Sequence, residues 1–155
     1  MRSPNLLSFL IAAVATPAIA ADPLRLETRI LAEHRVAAPD GSTRVELVPP
    51  ARVGPGDPVV VEVAFRNNGA QPIGGLVIAN PVPRGLAYQA PRGTEMPELS
   101  VDGRRFGPLP SLVVALPGGG TRPATLSDVT HVRWRLPMSL NAGRGGAFAF
   151  RAVVR

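Results

Sequence analysis

The chain has no cysteine and no lysine, and aromatic residues are scarce: five Phe, one Trp and one Tyr among 155 residues. Without Cys there are no disulfide staples and no thiolate metal ligands, so packing alone must hold the fold together. The only histidines are His34 and His131, too few for a His-rich zinc site. The longest apolar run, in residues 6–15, is about ten residues, well short of the roughly 20 needed to cross a bilayer as a helix. Eighteen Pro and 16 Gly, spread throughout, cut the chain into short pieces and exclude long helices.

What is present begins with a tripartite leader. Arg2 precedes the apolar run, and Thr16-Pro17-Ala18-Ile19-Ala20-Ala21 supplies an Ala-x-Ala site. This pattern predicts a secretory signal peptide over residues 1–20, cleaved after Ala20, with Ala21 as the alternative. The expected product is a single exported domain, residues 21–155, periplasmic or secreted, with no membrane span after cleavage. All 17 basic residues are Arg, and the formal charge of +6 becomes +5 once Arg2 is removed. Such a balance raises the question of nucleic acid. Export and the scatter of the Arg positions argue against that partner.

Between the Pro and Gly breaks, apolar and polar residues alternate with period two, the mark of strands. The plainest case is Val59-Val60-Val61-Glu62-Val63-Ala64-Phe65-Arg66. Val59, Val61, Val63 and Phe65 fall on one face, and Val60, Glu62, Ala64 and Arg66 on a wet outer one. Gly54-Pro55-Gly56-Asp57-Pro58 sets the approach to this strand, and Asn67-Asn68-Gly69 ends it in a tight turn. Further strands are expected at 24–34, 43–48, 75–80, 85–89, 112–116, 131–136 and 147–154. Residues 100–107 read as a hairpin around Asp102-Gly103, and residues 117–123 as a flexible loop. About eight strands, with turn signals every eight to twelve residues and no crossover helix, predict an all-β antiparallel sandwich.

Several motifs occur in an order that resembles a known family. Val53-Gly54-Pro55-Gly56-Asp57 starts a strand, Arg66-Asn67-Asn68-Gly69 ends it, and Asn80-Pro81-Val82-Pro83-Arg84-Gly85-Leu86-Ala87-Tyr88 follows. The set resembles the conserved-repeat domain known as domain of unknown function eleven, found in bacterial envelope and surface proteins. Asp128-Val129-Thr130-His131-Val132-Arg133-Trp134 and the segment 145–152 are similar to a single-domain exported subgroup of that family. The resemblance covers residue 24 to the end and implies an immunoglobulin-like sandwich, with no catalytic residue and no cofactor. The module repetition and surface anchors of larger relatives are lacking, so a surface-stalk role is not carried over.

Three constellations invite a chemical reading. Ser127, Asp128 and His131 are residue types of a hydrolase triad, which needs nucleophile, base and orienter within hydrogen-bond reach. Alternation instead places His131 on the solvated face opposite Val132 and Trp134. Asp40, Asp57, Asn67, Asn68 and Asp102 offer loop oxygens of the kind calcium takes, but lack the spacing of a calcium loop and suit turn formation. Third, if the last two strands pair as a hairpin, His131, Arg133, Arg135, Arg151 and Arg155 share an outward face, with Trp134 in the core. Glu62 is then the expected neutralising partner, and an anion-binding patch is the alternative. The reading is a non-catalytic envelope module without cofactor or metal. Its first partner class is another envelope protein, engaged through edge strands, and its second an anionic glycan or polymer on the Arg face.

Overall fold

Alternating side chains and Gly/Pro punctuation become ten strands in the computed structural model, which describes residues 22–155. They are β1 (Leu24–Ala37), β2 (Thr43–Val48), β3 (Pro58–Asn67), β4 (Val77–Pro81), β5 (Leu86–Arg92), β6 (Glu98–Ser100), β7 (Val113–Ala115), β8 (Thr121–Pro123), β9 (His131–Arg135) and β10 (Gly145–Val154). Two 3-10 turns, Leu109–Ser111 and Leu126–Asp128, are the helical content of the described residues. The expected leader, 1–20, lies outside them.

The strands form the expected antiparallel sandwich, with unequal layers. A five-stranded sheet in the order β2-β1-β3-β10-β5 faces a three-stranded sheet in the order β4-β9-β6, and β7 and β8 make a separate hairpin. Residues 121–123, expected within a flexible loop, are instead β8, paired antiparallel with β7.

Between the sheets lie Val59, Val61, Val63 and Phe65 of β3 and Phe150 and Ala152 of β10, packed against Ile78, Leu99, Val132 and Trp134. The scarce aromatics are concentrated here. Trp134 stacks on Phe148 with ring centroids 5.0 Å apart, Phe148 lies 5.1 Å from Phe65, and Phe150 lies 5.5 Å from Tyr88. Trp134 is therefore core, as its alternation with Val132 and Leu136 indicates.

Each end of β3 is fastened by the motif beside it. At its start the Asp57 N–H donates to the Gly54 carbonyl at 3.1 Å, and the Asp57 carboxylate accepts the Gly54 N–H at 2.8 Å. Pro55 and Gly56, the latter at φ +90°, complete a type II turn. The turn is clamped to the end of β10: Gly56 N–H donates to Val154 C=O, and Val154 N–H to Asp57 C=O.

At the other end Asn67 is fully buried. Its amide nitrogen donates to the carbonyls of Gln71 at 2.8 Å and Leu140 at 2.9 Å, and its amide oxygen accepts the Gly69 N–H at 2.9 Å. Its backbone N–H reaches Arg144 C=O, and its carbonyl accepts from Gly143. The next residue, Asn68, donates its N–H to Pro23 C=O at 2.7 Å. One side chain thus joins the loop after β3 to the chain entering β10.

The wet outer face of β3 departs from expectation at one position. Val60 is only 1 % exposed, because Leu31 across the ladder and Arg151 on the other side close over it. Glu62 and Ala64 are half-buried, and Arg66 is exposed.

Truncating Asn67 to Ala removes three hydrogen bonds in a buried site: the Gln71 carbonyl and the Gly69 N–H lose their partner, while the Leu140 carbonyl keeps only the Ile73 N–H. The expected loss is about 3 kcal/mol. It should be read as a lower urea midpoint at unchanged slope, whereas a loss below about 1 kcal/mol would show that the amide does not organise this end.

Candidate functional site

The hairpin expected from the two closing strands does not form. β9 pairs with β4 and β6, and β10 pairs with β3 and β5, so the strands belong to opposite sheets. The connection between them crosses from one layer to the other: Leu136 N–H donates to Leu76 C=O, and Leu140 bridges Ile73. The outward face of β9, with His131, Arg133 and Arg135, and the outward face of β10, with Arg151, look away from each other. The five residues do not make one patch.

Each group has its own partner. On the three-stranded sheet Glu98 lies opposite Arg133 in register and receives it at 2.7 Å, while Arg135 reaches the same carboxylate oxygen at 3.3 Å. The Arg133 guanidinium also lies 4.1 Å from the centre of the Phe106 ring. The contact with Arg133 first, and then the charge of Arg135, hold the Glu98 carboxyl below its usual range.

On the five-stranded sheet Glu33 takes Arg92 and Arg151, each at 3.1 Å. Burial pushes the Glu33 carboxyl up, but the two Arg contacts outweigh it and leave the group below its ordinary value. Glu62, the expected neutralising residue, instead faces Arg29 across β1 and Ala149 across β10. Arg155 donates to the Ser127 carbonyl at 2.6 Å. His131 bonds through Nδ1 to the Thr130 hydroxyl at 2.9 Å and packs on Gly103, where a Cβ would come within 2.8 Å of its ring.

Ser127, Asp128 and His131 are likewise engaged elsewhere. Arg122 grips Asp128 through both guanidinium nitrogens, at 2.7 and 2.6 Å, and the Thr125 N–H and hydroxyl add two further contacts at 2.8 and 2.7 Å. Ser127 Oγ lies 2.9 Å from the Thr125 hydroxyl. No hydrogen bond links any two of the three side chains, so a base and orienter for Ser127 are not assembled.

The loop oxygens considered for calcium serve their own turns. Asp40 accepts the N–H and hydroxyl of Ser42, Asp57 caps Gly54, and Asn67 holds Gly69. Asp102 accepts the N–H groups of Arg104 and Arg105 at 2.8 and 3.0 Å and the Ser100 hydroxyl at 3.0 Å. This closes the expected hairpin, whose flanks Leu99 and Gly107 exchange both backbone bonds. Among the described residues no group of three or more His, Cys, Asp and Glu could hold a metal ion.

The feature that strand-by-strand reading missed lies at a sheet edge. Leu26, Thr28 and Ile30 oppose Phe65, Val63 and Val61 in register and so share their core-facing side. Thr28 donates its hydroxyl to Asn80 Oδ1 of β4 at 2.9 Å, which marks where the second sheet stops. Beyond it Leu26 is 48 % and Ile30 40 % exposed. The edge of β4 beside them carries unpaired backbone groups. Leu76 C=O and Val82 N–H point inward to the chain around β9, so by alternation Val77 and Ala79 point outward. The opposite side of the sandwich is different: a groove of about 520 Å³ between β5 and β6 is lined by Pro91, Pro97, Pro108 and Pro110, none of which can donate to a ladder.

Comparison of the chain with described protein families, curated proteins and solved structures returned no match. Among the described residues no helix is long and apolar enough to cross a membrane.

The turn carboxylates make stability depend on pH. The backbone N–H groups of Arg104 and Arg105, then the Ser100 hydroxyl, lower the Asp102 carboxyl to about 2, against about 3.9 in an unfolded chain. Arg122 first, and then Thr125, lower Asp128 in the same direction. A depressed folded value means that the unfolded chain binds protons first on acidification. The stabilisation is therefore complete above about pH 4 and drains away as the pH falls towards 2. Asp102→Asn should flatten this decline in a denaturation series from pH 5 to about pH 2. A slope equal to that of the unaltered protein would assign the acid sensitivity elsewhere.

Proposed function

We infer that the protein is a non-catalytic exported module that binds another envelope protein by accepting one of its strands along β4. One observation carries this reading: a five-stranded sheet faces a three-stranded one, leaving Leu26 and Ile30 uncovered beside the open edge of β4. An added strand would pair with the free backbone groups of Val77 and Ala79, and its alternate side chains would cover Leu26 and Ile30. The leader-like residues 1–20 and the resemblance to an envelope domain family support an envelope setting. The engagement of Ser127, Asp128 and His131 with separate partners supports a role in binding over hydrolysis.

The test is photo-crosslinking in the native cells, with a photoreactive residue replacing Ala79 in one variant and exposed Met138 in another. Ala79 is expected to capture one reproducible protein, Met138 to capture none, and Ile30→Glu to abolish the capture. Because Ile30 is 40 % exposed, the Glu variant is expected to lose only about 1 kcal/mol and to stay folded, which its urea midpoint checks. Equal capture from both positions, or capture indifferent to Ile30→Glu, would remove the β4 edge from consideration.

A further inference from the structure

Where two charged residues stand opposite each other in register on an outward face, they are otherwise of opposite sign: Arg29 faces Glu62 across β1 and β3, and Arg133 faces Glu98 across β9 and β6. One ladder position breaks this rule. Arg25 and Arg66 stand directly opposite each other, the only like-charged pair in register among the described strands. Like charges so placed destabilise a strand pair unless something neutralises them.

No acidic residue of the described chain does so at close range. Arg66 makes no ion pair among the described residues, and Arg25 lies 3.9 Å from Glu27. Glu27 spends its close contact, at 2.9 Å, on Arg29. Across β3 from Arg25, the neighbour of Arg66 is Gly145, so the row Arg25, Arg66, Gly145 has two guanidinium groups and then a bare backbone. Glycine is required there, since a Cβ would come within 2.4 Å of the Phe65 carbonyl oxygen. Ala64 continues the low floor. The result is an open depression of about 440 Å³ lined by Arg25, Glu27, Ala64, Phe65, Arg66, Gly145 and Gly146.

We propose that this depression binds a phosphate-bearing ligand, with Arg25 and Arg66 forking its oxygens and the small residues of β3 and β10 leaving room for it. Two planar guanidinium groups abreast suit the several oxygens of a phosphoryl group, each of which accepts paired N–H donors. Glu27 also lines the depression and lies 3.9 Å from Arg25, but its close contact, at 2.9 Å, is with Arg29, which offsets its charge beside the anion. The site lies on the outer face of β1 and β3, away from Leu26, Ile30 and the β4 edge, so it is independent of strand addition there.

The test uses residues 21–155 titrated with inorganic phosphate at constant ionic strength, read by amide NMR shifts and by melting temperature. Saturable shifts are expected at Arg66, Gly145 and Gly146, with a rise in melting temperature. Arg66→Gln should lose both responses while being no less stable in phosphate-free buffer, because it removes a repulsion. Arg35→Gln, an exposed arginine elsewhere on β1, should keep both. Shifts that never saturate, or that survive Arg66→Gln, would reduce the effect to general salt and overturn the site. Two further arms separate the sources of the phosphate. Arg66-dependent binding to glycerol phosphate but not to phosphatidylglycerol vesicles would make the ligand a soluble phosphate ester, and Arg66-dependent co-sedimentation with the vesicles would make it a lipid headgroup. Failure of both, like failure with inorganic phosphate, would overturn the proposal.

Discussion

The buried amide of Asn67 is the constraint on which the rest of the sandwich depends. Its two N–H donors and one oxygen meet two carbonyls and one backbone N–H, a combination that neither Asp nor Ser supplies on one side chain. By holding the chain at Leu140 it fixes where β10 begins, and through Asn68 and Pro23 it fixes where β1 begins. Both strands then run beside β3 in a single register. A slip of one residue would turn Val59, Val61 and Val63 to solvent. The same register sets Arg66 between Arg25 and Gly145, so the basic depression is a by-product of the lock at Asn67.

An all-arginine basic complement is put to a particular use. One carboxylate serves two guanidinium groups at Glu33 and again at Glu98, and each time the two arginines stand on the same outward face. The planar fork makes such sharing geometrically easy. These pairs are partly solvated, and exposed ion pairs add little stability individually. Their larger contribution is arrangement: Arg151, held by Glu33, lies against Val60 and keeps it dry. The unequal widths of the sheets arise from the edges. Prolines guard the β5 and β6 side, whereas on the inward face of β1 Leu26 and Ile30 are left 48 % and 40 % exposed.

Much of this was legible in the sequence. Period-two alternation located the main strands, Pro55-Gly56-Asp57 and Asp102-Gly103 marked their turns by chemistry that leaves few other conformations open, and alternation with Val132 and Leu136 placed Trp134 in the core. Pairing was harder to read. The two closing strands look like a hairpin because they are adjacent in sequence and share an alternating pattern, but nothing local in residues 136–144 reveals that the chain crosses between layers there. That crossing depends on Leu136 and Leu140 finding Leu76 and Ile73, some 60 residues earlier in the chain, a long-range choice that periodicity does not encode. The division of His131, Arg133, Arg135, Arg151 and Arg155 between two faces follows from it, as does the assignment of Glu33 rather than Glu62 to Arg151. Val60 was misread for a related reason: an outer face is wet only where no neighbouring strand brings a side chain across it.

The position of β10 has a consequence for the order of assembly. It is the last strand, yet it lies inside the five-stranded sheet between β3 and β5, and its end is bonded to the turn that opens β3. A chain delivered N-terminus first, whether from a ribosome or through a translocation pore, has nothing to set β5 beside until Phe150 arrives. Before then Val61 and Val63 lack half of their lining, and the aromatic stack lacks Phe148. Closure is therefore a late, long-range event of the kind that folds slowly. β2, β1 and β3 can pair as they emerge, but β5 has no place in the sheet before β10 is delivered, so its resistance to proteases should wait until residues 145–154 have docked.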